Sequence, residues 1–478
     1  MIIDNIIKPI KKCLNKKLGF ELLIKQNNYF YNDITTLGKL GLYKAILSNP
    51  NYKNSYPYII ALYAYGYAEQ ANKALALYKT SSDYPKNCLD LISDLLPFNA
   101  KLSYELLADI KPNKKTILLR ANILAALGNL TELQNLLASL NSSDFIRTPE
   151  FYLLFNHLEK QESNKLVNLN QYLTAYQLDK VEFTNKTKPF SSINLTANSV
   201  FNNKNNVNKF PIVSIIVTTF NSEKYIIPTL ISLVKQTYPN KEIIIVDDNS
   251  SDNTLSLLQT FAQQYSFIKV IPLSRNVGTY VAKTIGTYLA KGEFIATNDS
   301  DDWAHPQKIE LQILPLLNNP NLVVTFSKWV RLQENGQFYA RSVSPLTRLN
   351  PASALFRKKE IMEKTGLWHL VRTGADSEFN ARLKLCFPNQ YVTINKPLTI
   401  AAHRANSLMT SKETGYSEQG VSITRLEYWQ AWQNWHIQCL KKKTSLKMEL
   451  FQDPFTVPSV IKVELSDILS CFTEKHLI

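Results

Sequence analysis

Four short, β-branched apolar runs, each closed by polar residues, follow one another between Val213 and Asp302 and limit the fold more than any other feature. They are Val213–Phe220 (VSIIVTTF), Glu242–Asp248 (EIIIVDD), Lys269–Ser274 (KVIPLS) and Glu293–Asp299 (EFIATND), with helical spacing between them, first over Ser222–Gln236. Apolar strands alternating with helices predict a mainly parallel mixed sheet with helices on both faces, an α/β architecture. Ligands of such sheets sit beyond the carboxyl ends of the strands. The residues to inspect are therefore Thr218–Asn221, Asp247–Asp252 and Asn298–Trp303. Neither GxGxxG nor GxxxxGK[ST] occurs, so neither a dinucleotide fold nor a P-loop is indicated.

Residues 1–180 read differently. Leu, Ile, Ala and Tyr recur there at three- and four-residue spacing, which predicts helices. Two stretches share one layout, an apolar helix, a glycine (Gly66, Gly128) and a second helix whose first apolar residue follows five positions later (Ala71, Leu133). That layout resembles tetratricopeptide-type helix pairs, which stack and offer a concave face to a protein partner. Residues 181–210, rich in Asn, Lys, Thr and Ser, are expected to be a polar linker. From 415 to 478 the chain again reads as helical, with Tyr428, Trp432 and Trp435 at i, i+4, i+7 ahead of Lys441–Lys443. Packing of that stripe on its own domain is the favoured reading, and an anionic membrane surface the alternative. The basic N-terminus (Lys8, Lys11, Lys12, Lys16, Lys17) poses the same choice.

A chain of 478 residues has room for two or three domains, and 45% hydrophobic with 19% charged residues is ordinary globular material. The surplus of 54 Lys+Arg over 39 Asp+Glu gives a formal charge of +15, suited to anionic ligands. No recognised nucleic-acid module accompanies that charge, so nucleic acid is not an expected partner. Five cysteines (Cys13, Cys88, Cys386, Cys439, Cys471), far apart and in no CxxC pair, fit a reducing compartment. With no spanning apolar stretch and no secretory signal, the protein is expected to be cytoplasmic, or peripheral on the inner face of the plasma membrane.

Asp299, Asp301 and Asp302 crowd three acids into four residues directly after a buried strand. Such crowding is costly unless a cation is nearby. A hard, oxygen-seeking ion, Mn²⁺ or Mg²⁺, is the expected occupant. The plain alternative is an acidic loop that caps helices. For Asp248 the plain alternative is an Asx turn or N-cap.

Taken in order, the pieces PIVSIIVTTFN, SLVKQTYPN, EIIIVDDNSSDNT, RNVG and AKGEFIATNDSDDW, then Pro306 opening a helix, carry a likeness. Over residues 211–310, and more thinly to about Lys412, the chain resembles the inverting family 2 glycosyltransferases of GT-A fold. The resemblance implies a domain over 211–414 and a nucleotide-sugar donor, expected to be a UDP-sugar. It places Thr218, Asn221 and Asp248 at the donor, with Asp248 facing the base, and Asn276 and Gly278 beside the nucleotide. Lys283 would supply a cation to the diphosphate where the family often has Arg-Asn, though without a bidentate fork. Asp299-x-Asp301 is the family's DxD motif, with Asp301 the expected metal ligand and Asp302 beside it. A divalent ion there neutralises charge growing on the departing diphosphate.

The segment RTGADSEFNARL (372–383) resembles the family's base motif, which falls on Asp376, with Glu378 in reserve. Asp376 would take the acceptor hydroxyl proton. His403 and Arg404 stand where the family often has Arg-x-His, in shifted order, and would reach the metal or the phosphates. Trp303 reads as core before sugar platform. Phe326–Leu332 and Phe338–Val343, flanking Glu334-Asn-Gly-Gln, predict a hairpin on the acceptor side. The expected acceptor is a surface polysaccharide or glycolipid hydroxyl. The rival readings are another nucleotide-sugar enzyme and a helical scaffold carrying an inactive transferase domain.

Overall fold

The computed structural model describes residues 33–108, 110–201, 210–403, 413–417 and 420–477. Arg404 and the N-terminal lysines lie outside these residues. The chain opens with helices α1 (Ile34–Leu40), α2 (Tyr43–Leu47), α3 (Tyr56–Ala64), α4 (Ala68–Tyr78), α5 (Tyr84–Leu95) and α6 (Ala100–Leu107). It continues through α7 (Lys114–Leu127), α8 (Leu130–Ala138), α9 (Ser142–Arg147), α10 (Glu150–Leu154) and α11 (Glu162–Ala175). The two helix pairs expected around glycine are present as α3–α4 and α7–α8. Gly66 (φ 80°) and Gly128 (φ 70°) both take the left-handed conformation. Each pair turns on the same bonds: Tyr67 N–H donates to Leu62 O (2.9 Å) and Asn129 N–H to Leu124 O (3.0 Å), the six-to-one closure of a glycine-terminated helix.

The stretch expected to be a linker is folded where it is described. Strands β1 (Glu182–Phe183) and β2 (Leu195–Thr196) pair antiparallel, and Phe190 between them is fully buried. Asn194 Nδ2 donates to the carbonyls of Asn185, Lys188 and Pro189, so polar side chains satisfy an irregular backbone there instead of solvating a tether.

The central sheet holds β3 (Val213–Thr219), β4 (Lys241–Asp247), β5 (Ile268–Pro272), β6 (Phe294–Asp299), β7 (Trp303–Ala304), β8 (Val324–Gln333), β9 (Phe338–Tyr339), β10 (Arg348–Leu349), β11 (Leu355–Arg357) and β12 (Tyr391–His403). The order along the sheet is β5-β4-β3-β6-β11-β8-β12-β7. β3 to β6 run parallel, β11 is antiparallel to both β6 and β8, and β12 runs parallel to β8. The carboxyl ends of β3, β4, β6, β8 and β12 therefore share one edge. The chain reverses direction across the sheet between β3 and β6, the place where such folds bind ligands. The expected hairpin is β8–β9, with Gly336 at φ 81° in its turn.

Interleaved helices are α12 (Ile226–Val234), α13 (Thr254–Ala262), α14 (Thr279–Leu289), α15 (Lys308–Asn318), α16 (Lys358–Lys364), α17 (Ala375–Cys386), α18 (Ile423–Lys442) and α19 (Leu465–Glu474). Alternation along β3 and β4 explains why both faces are covered. Ile216, Ile244 and Val246 enter a core with α14, α17, α18 and α19, while Ile215, Val217, Ile243 and Ile245 face α12, α13 and α15. A third core joins α7, α8, α10 and α11 to β8, β9, β12 and Trp303, whose Nε1 donates to Leu195 O.

The C-terminal region belongs to the same body. Tyr428 and Trp432 are buried, Trp435 packs on His436 and Phe455, and α1 joins the same core. The aromatic stripe therefore packs inward. No helix among the described residues is long and apolar enough to cross a membrane.

Candidate active site

The register across β3 brings the strand ends together, Thr218 opposite Asp299 and Thr219 opposite Asp247. Three loops leave this edge and are sewn to each other. Asn221 (φ 46°) donates its N–H to Ser250 Oγ and accepts from Ser251 N–H (2.8 Å). Ser222 Oγ lies 3.0 Å from Ser300 Oγ, joining the loops after β3 and β6. Thr218 Oγ1 pairs with Thr279 Oγ1 at the start of α14 (2.6 Å). Asn221 is thus a loop fastener, with its side-chain oxygen already engaged.

Asp248 is 4% exposed, and its two carboxylate oxygens accept from Val277 N–H (2.7 Å) and Gly278 N–H (2.8 Å). Burial pushes its pKa up to about 6, against the pull of those two N–H groups and of Arg372. Its two oxygens shape the Asn276–Gly278 turn. Asn276 lies in that turn, bonded to Asp248 O and to Arg372 Nη1 (2.7 Å).

The centre of the arrangement is Lys283 on α14. Its side chain is 1% exposed, and Nζ lies 3.3 Å from Asp299 Oδ1 and 3.4 Å from Asp376 Oδ2. Burial alone would neutralise it, but the two carboxylates outweigh burial and hold it charged. Asp376 stands in the first turn of α17. Its Oδ1 accepts from Trp368 Nε1 (3.1 Å) and its Oδ2 from Tyr280 OH (3.2 Å). Burial lifts the Asp376 pKa above the ordinary carboxylate value; Lys283 opposes that and Asp299 adds to it.

Glu378 does not belong to this group. It is fully buried, accepts from Arg382 Nε (2.7 Å) and Nη2 (2.8 Å), and meets His436 Nε2 (2.9 Å). Its expected reserve role as a base is corrected accordingly: both oxygens serve a sealed ion pair.

The acid loop is held from below. Asn298 Nδ2 donates to the carbonyls of Asp299 and Asp302, and its Oδ1 accepts from Lys308 Nζ (2.8 Å). Asp299 and Asp301 keep partial exposure, whereas Asp302 is 4% exposed. Burial, then the charges of Asp301 and Asp299, push the Asp302 pKa well above the carboxylate range. That crowding of oxygen donors is what a hard divalent cation relieves, so Asp299 and Asp301 fit Mn²⁺ or Mg²⁺. Among the described residues no three His, Cys, Asp or Glu side chains converge as a finished cage. Asp302 is buried behind Asp299 and Asp301.

His403 ends β12 opposite Gln333, stacked on Tyr339 with ring centroids 4.4 Å apart. Burial and the charge of Arg331 lower its pKa. With Lys224, Tyr225, Glu334 and the Lys188–Asn194 segment it lines a cavity of about 370 Å³ on the carboxyl edge. Sequence reasoning did not find Trp368, Tyr280 or Lys308, which carry no motif, and gave no role to Arg372 at the head of the 372–383 segment; proximity in the fold identifies them.

Residues 214–378 match the family described as Glycosyl transferase family 2. An uncharacterized glycosyltransferase of Haemophilus influenzae is 38% identical over 112 residues, 23% of this chain and 35% of that protein. The Escherichia coli UDP-Glc:alpha-D-GlcNAc-diphosphoundecaprenol beta-1,3-glucosyltransferase WfgD is 36% identical over 132 residues, 27% of this chain and 51% of that protein. The chain thus spans about half or less of these curated relatives. A crystal structure of S. aureus TarS 1-349 in complex with UDP-GlcNAc aligns at 23% identity over 41% of this chain and 59% of that one, with a TM-score of 0.35.

Proposed function

We propose that this chain, whose residues 214–378 match Glycosyl transferase family 2, moves a sugar from a nucleoside diphosphate donor to an acceptor hydroxyl with inversion. The observation that carries the reading is the meeting of Asp299, from the strand edge, and Asp376, from α17, around the buried ammonium of Lys283. An inverting transfer needs a carboxylate that accepts a proton on the acceptor side and positive charge on the donor side, close together.

In the reaction the acceptor oxygen bonds to the anomeric carbon as the carbon–oxygen bond to the diphosphate breaks. The acceptor proton passes to Asp376, and the nucleoside diphosphate leaves with the bonding pair. Trp368 and Tyr280 hold the carboxylate, and its raised pKa makes it a better base than an exposed aspartate. Lys283 carries positive charge between the base and the acid loop, so it serves the diphosphate without diffusing ions. Mn²⁺ or Mg²⁺ held by Asp299 and Asp301 would neutralise charge on the departing diphosphate. A UDP-sugar donor and a saccharide or glycolipid acceptor are proposed by analogy with the substrates in the name of the E. coli relative.

The test is release of nucleoside diphosphate from a panel of UDP-, GDP- and CDP-sugars, with Mn²⁺ and with chelator. Release from one donor class, abolished by chelation and by Asp376→Asn, is expected. If no donor were consumed by the folded wild-type chain, the reading would be refuted in favour of an inactive transferase domain.

A further inference from the structure

Two loops of the candidate site are tied down by a part of the chain that the family match does not reach. The match ends at 378. Beyond α18, residues 444–464 return across the protein and α19 follows.

The return segment grips the loop 365–373. Met448 N–H donates to Thr365 O (2.8 Å), and Arg372 N–H donates to Ile461 O (2.9 Å) beside a bridge between Val371 and Lys462. His369 Nε2 meets Asp453 Oδ1 (3.0 Å), while its Nδ1 meets Tyr428 OH (3.2 Å). Gly366 (φ 67°) lies so close that a Cβ there would stand 2.0 Å from Met448 O. This loop bears Trp368, which donates to Asp376, and Arg372, which holds Asn276.

α19 grips the other loop. Arg275 Nη1 pairs with Asp467 Oδ1 (2.7 Å) and Ser274 Oγ donates to Glu474 Oε1 (2.5 Å), immediately before the Asn276–Gly278 turn on the donor side.

We propose that residues 444–474 form a brace that sets the two halves of the site from separate points: Asp453, through His369, positions Trp368 and so the base Asp376, while Asp467, through Arg275, positions the donor loop. The proposal rests on the reading of Asp376 as base. Asp453 and Asp467 are positioning residues; neither touches the reacting groups. Their side chains are 41% and 30% exposed, so alanine at either site leaves the cores intact.

The test measures UDP release from UDP-glucose and UDP affinity by calorimetry with Mn²⁺ in the full chain. Asp453→Ala is expected to lower kcat about tenfold at unchanged UDP affinity, because a misplaced base slows chemistry without weakening donor contacts. Asp453→Glu, which keeps the carboxylate, restores most of the rate. Asp467→Ala is expected to weaken UDP binding about threefold to tenfold with kcat unchanged. Amide exchange should quicken at 366–374 in the first variant and at 274–278 in the second.

Wild-type kinetics and exchange in both variants would overturn the brace, as would both variants shifting the same parameter. Lys462→Ala, which removes the second partner of Asp453, gives a milder repeat of the first variant. If the wild type consumes no donor, the enzymatic reading fails, while exchange still decides whether the brace orders the two loops.

Discussion

Truncating Glu378 separates the acid that holds α17 in place from Asp376, the acid proposed to react. In Glu378→Ala the Arg382 guanidinium stays buried and bonded to the carbonyls of Thr365, Gly366 and Leu367, but both balancing oxygens are gone. Stranding a buried charge in this way destabilises by about 3–5 kcal/mol. Linkage gives an independent figure. Burial alone would raise the Glu378 pKa, yet Arg382 and His436 outweigh it and hold the group at about 2 against an ordinary 4.5. That preference for the ionised form amounts to about 3 kcal/mol. Because the folded value is depressed, the contribution is fully present above pH 4.5 and is lost as pH falls toward 2. Equilibrium unfolding in urea, followed by tryptophan fluorescence and far-ultraviolet circular dichroism, should show a loss of about 3–5 kcal/mol at neutral pH. The gap from wild type should narrow in acid. Replacing both partners, Glu378→Leu with Arg382→Met, should recover most of the loss. A Glu378→Ala protein with the wild-type midpoint, or a gap indifferent to pH, would refute the reasoning.

Asp376→Asn should keep the wild-type unfolding midpoint and lose about 10²- to 10⁴-fold in transfer rate, measured as nucleoside diphosphate release. Lys283→Met removes the charge that lowers the Asp376 pKa, so the acid limb of the pH–rate profile should move to higher pH while kcat/KM falls. Burial holds the Lys308 ammonium at about 8 against 10.5, so its charged form is penalised below about 8. That penalty lifts as pH climbs from 8 to 10.5, and wild-type stability should rise there relative to Lys308→Met, by up to about 3 kcal/mol in urea titrations.

The strands β3, β4, β5 and β6 were legible because their interiors are short apolar runs, and the edge residues because each run stops on polar residues. Helix pairing around Gly66 and Gly128 was legible for a similarly local reason: both positions need a left-handed backbone. Residues 181–201 were not, because composition cannot tell a solvated tether from a segment whose asparagines satisfy its own carbonyls. Glu378 carried a usable local signal, Arg382 at i+4. For Asp248, each carboxylate oxygen accepts from a backbone group about thirty residues away, which no local pattern announces. Lys308, Trp368 and the 444–464 segment acquire meaning only through long-range contact.

Trp429 Nε1 and Gln433 Nε2 on α18 both donate to Leu40 O at the end of α1, and Lys44 N–H donates to Gln430 Oε1, across 386 to 393 residues. The first described helix meets α2 and α3 early, but the partners that bond its carboxyl end wait until the ribosome has made α18. Loops of that size close slowly, so the side of α1 that meets α18 stays uncovered for most of synthesis. Deleting α18 should leave a nascent-like chain that sticks to chaperones through α1, even with every strand of the sheet present.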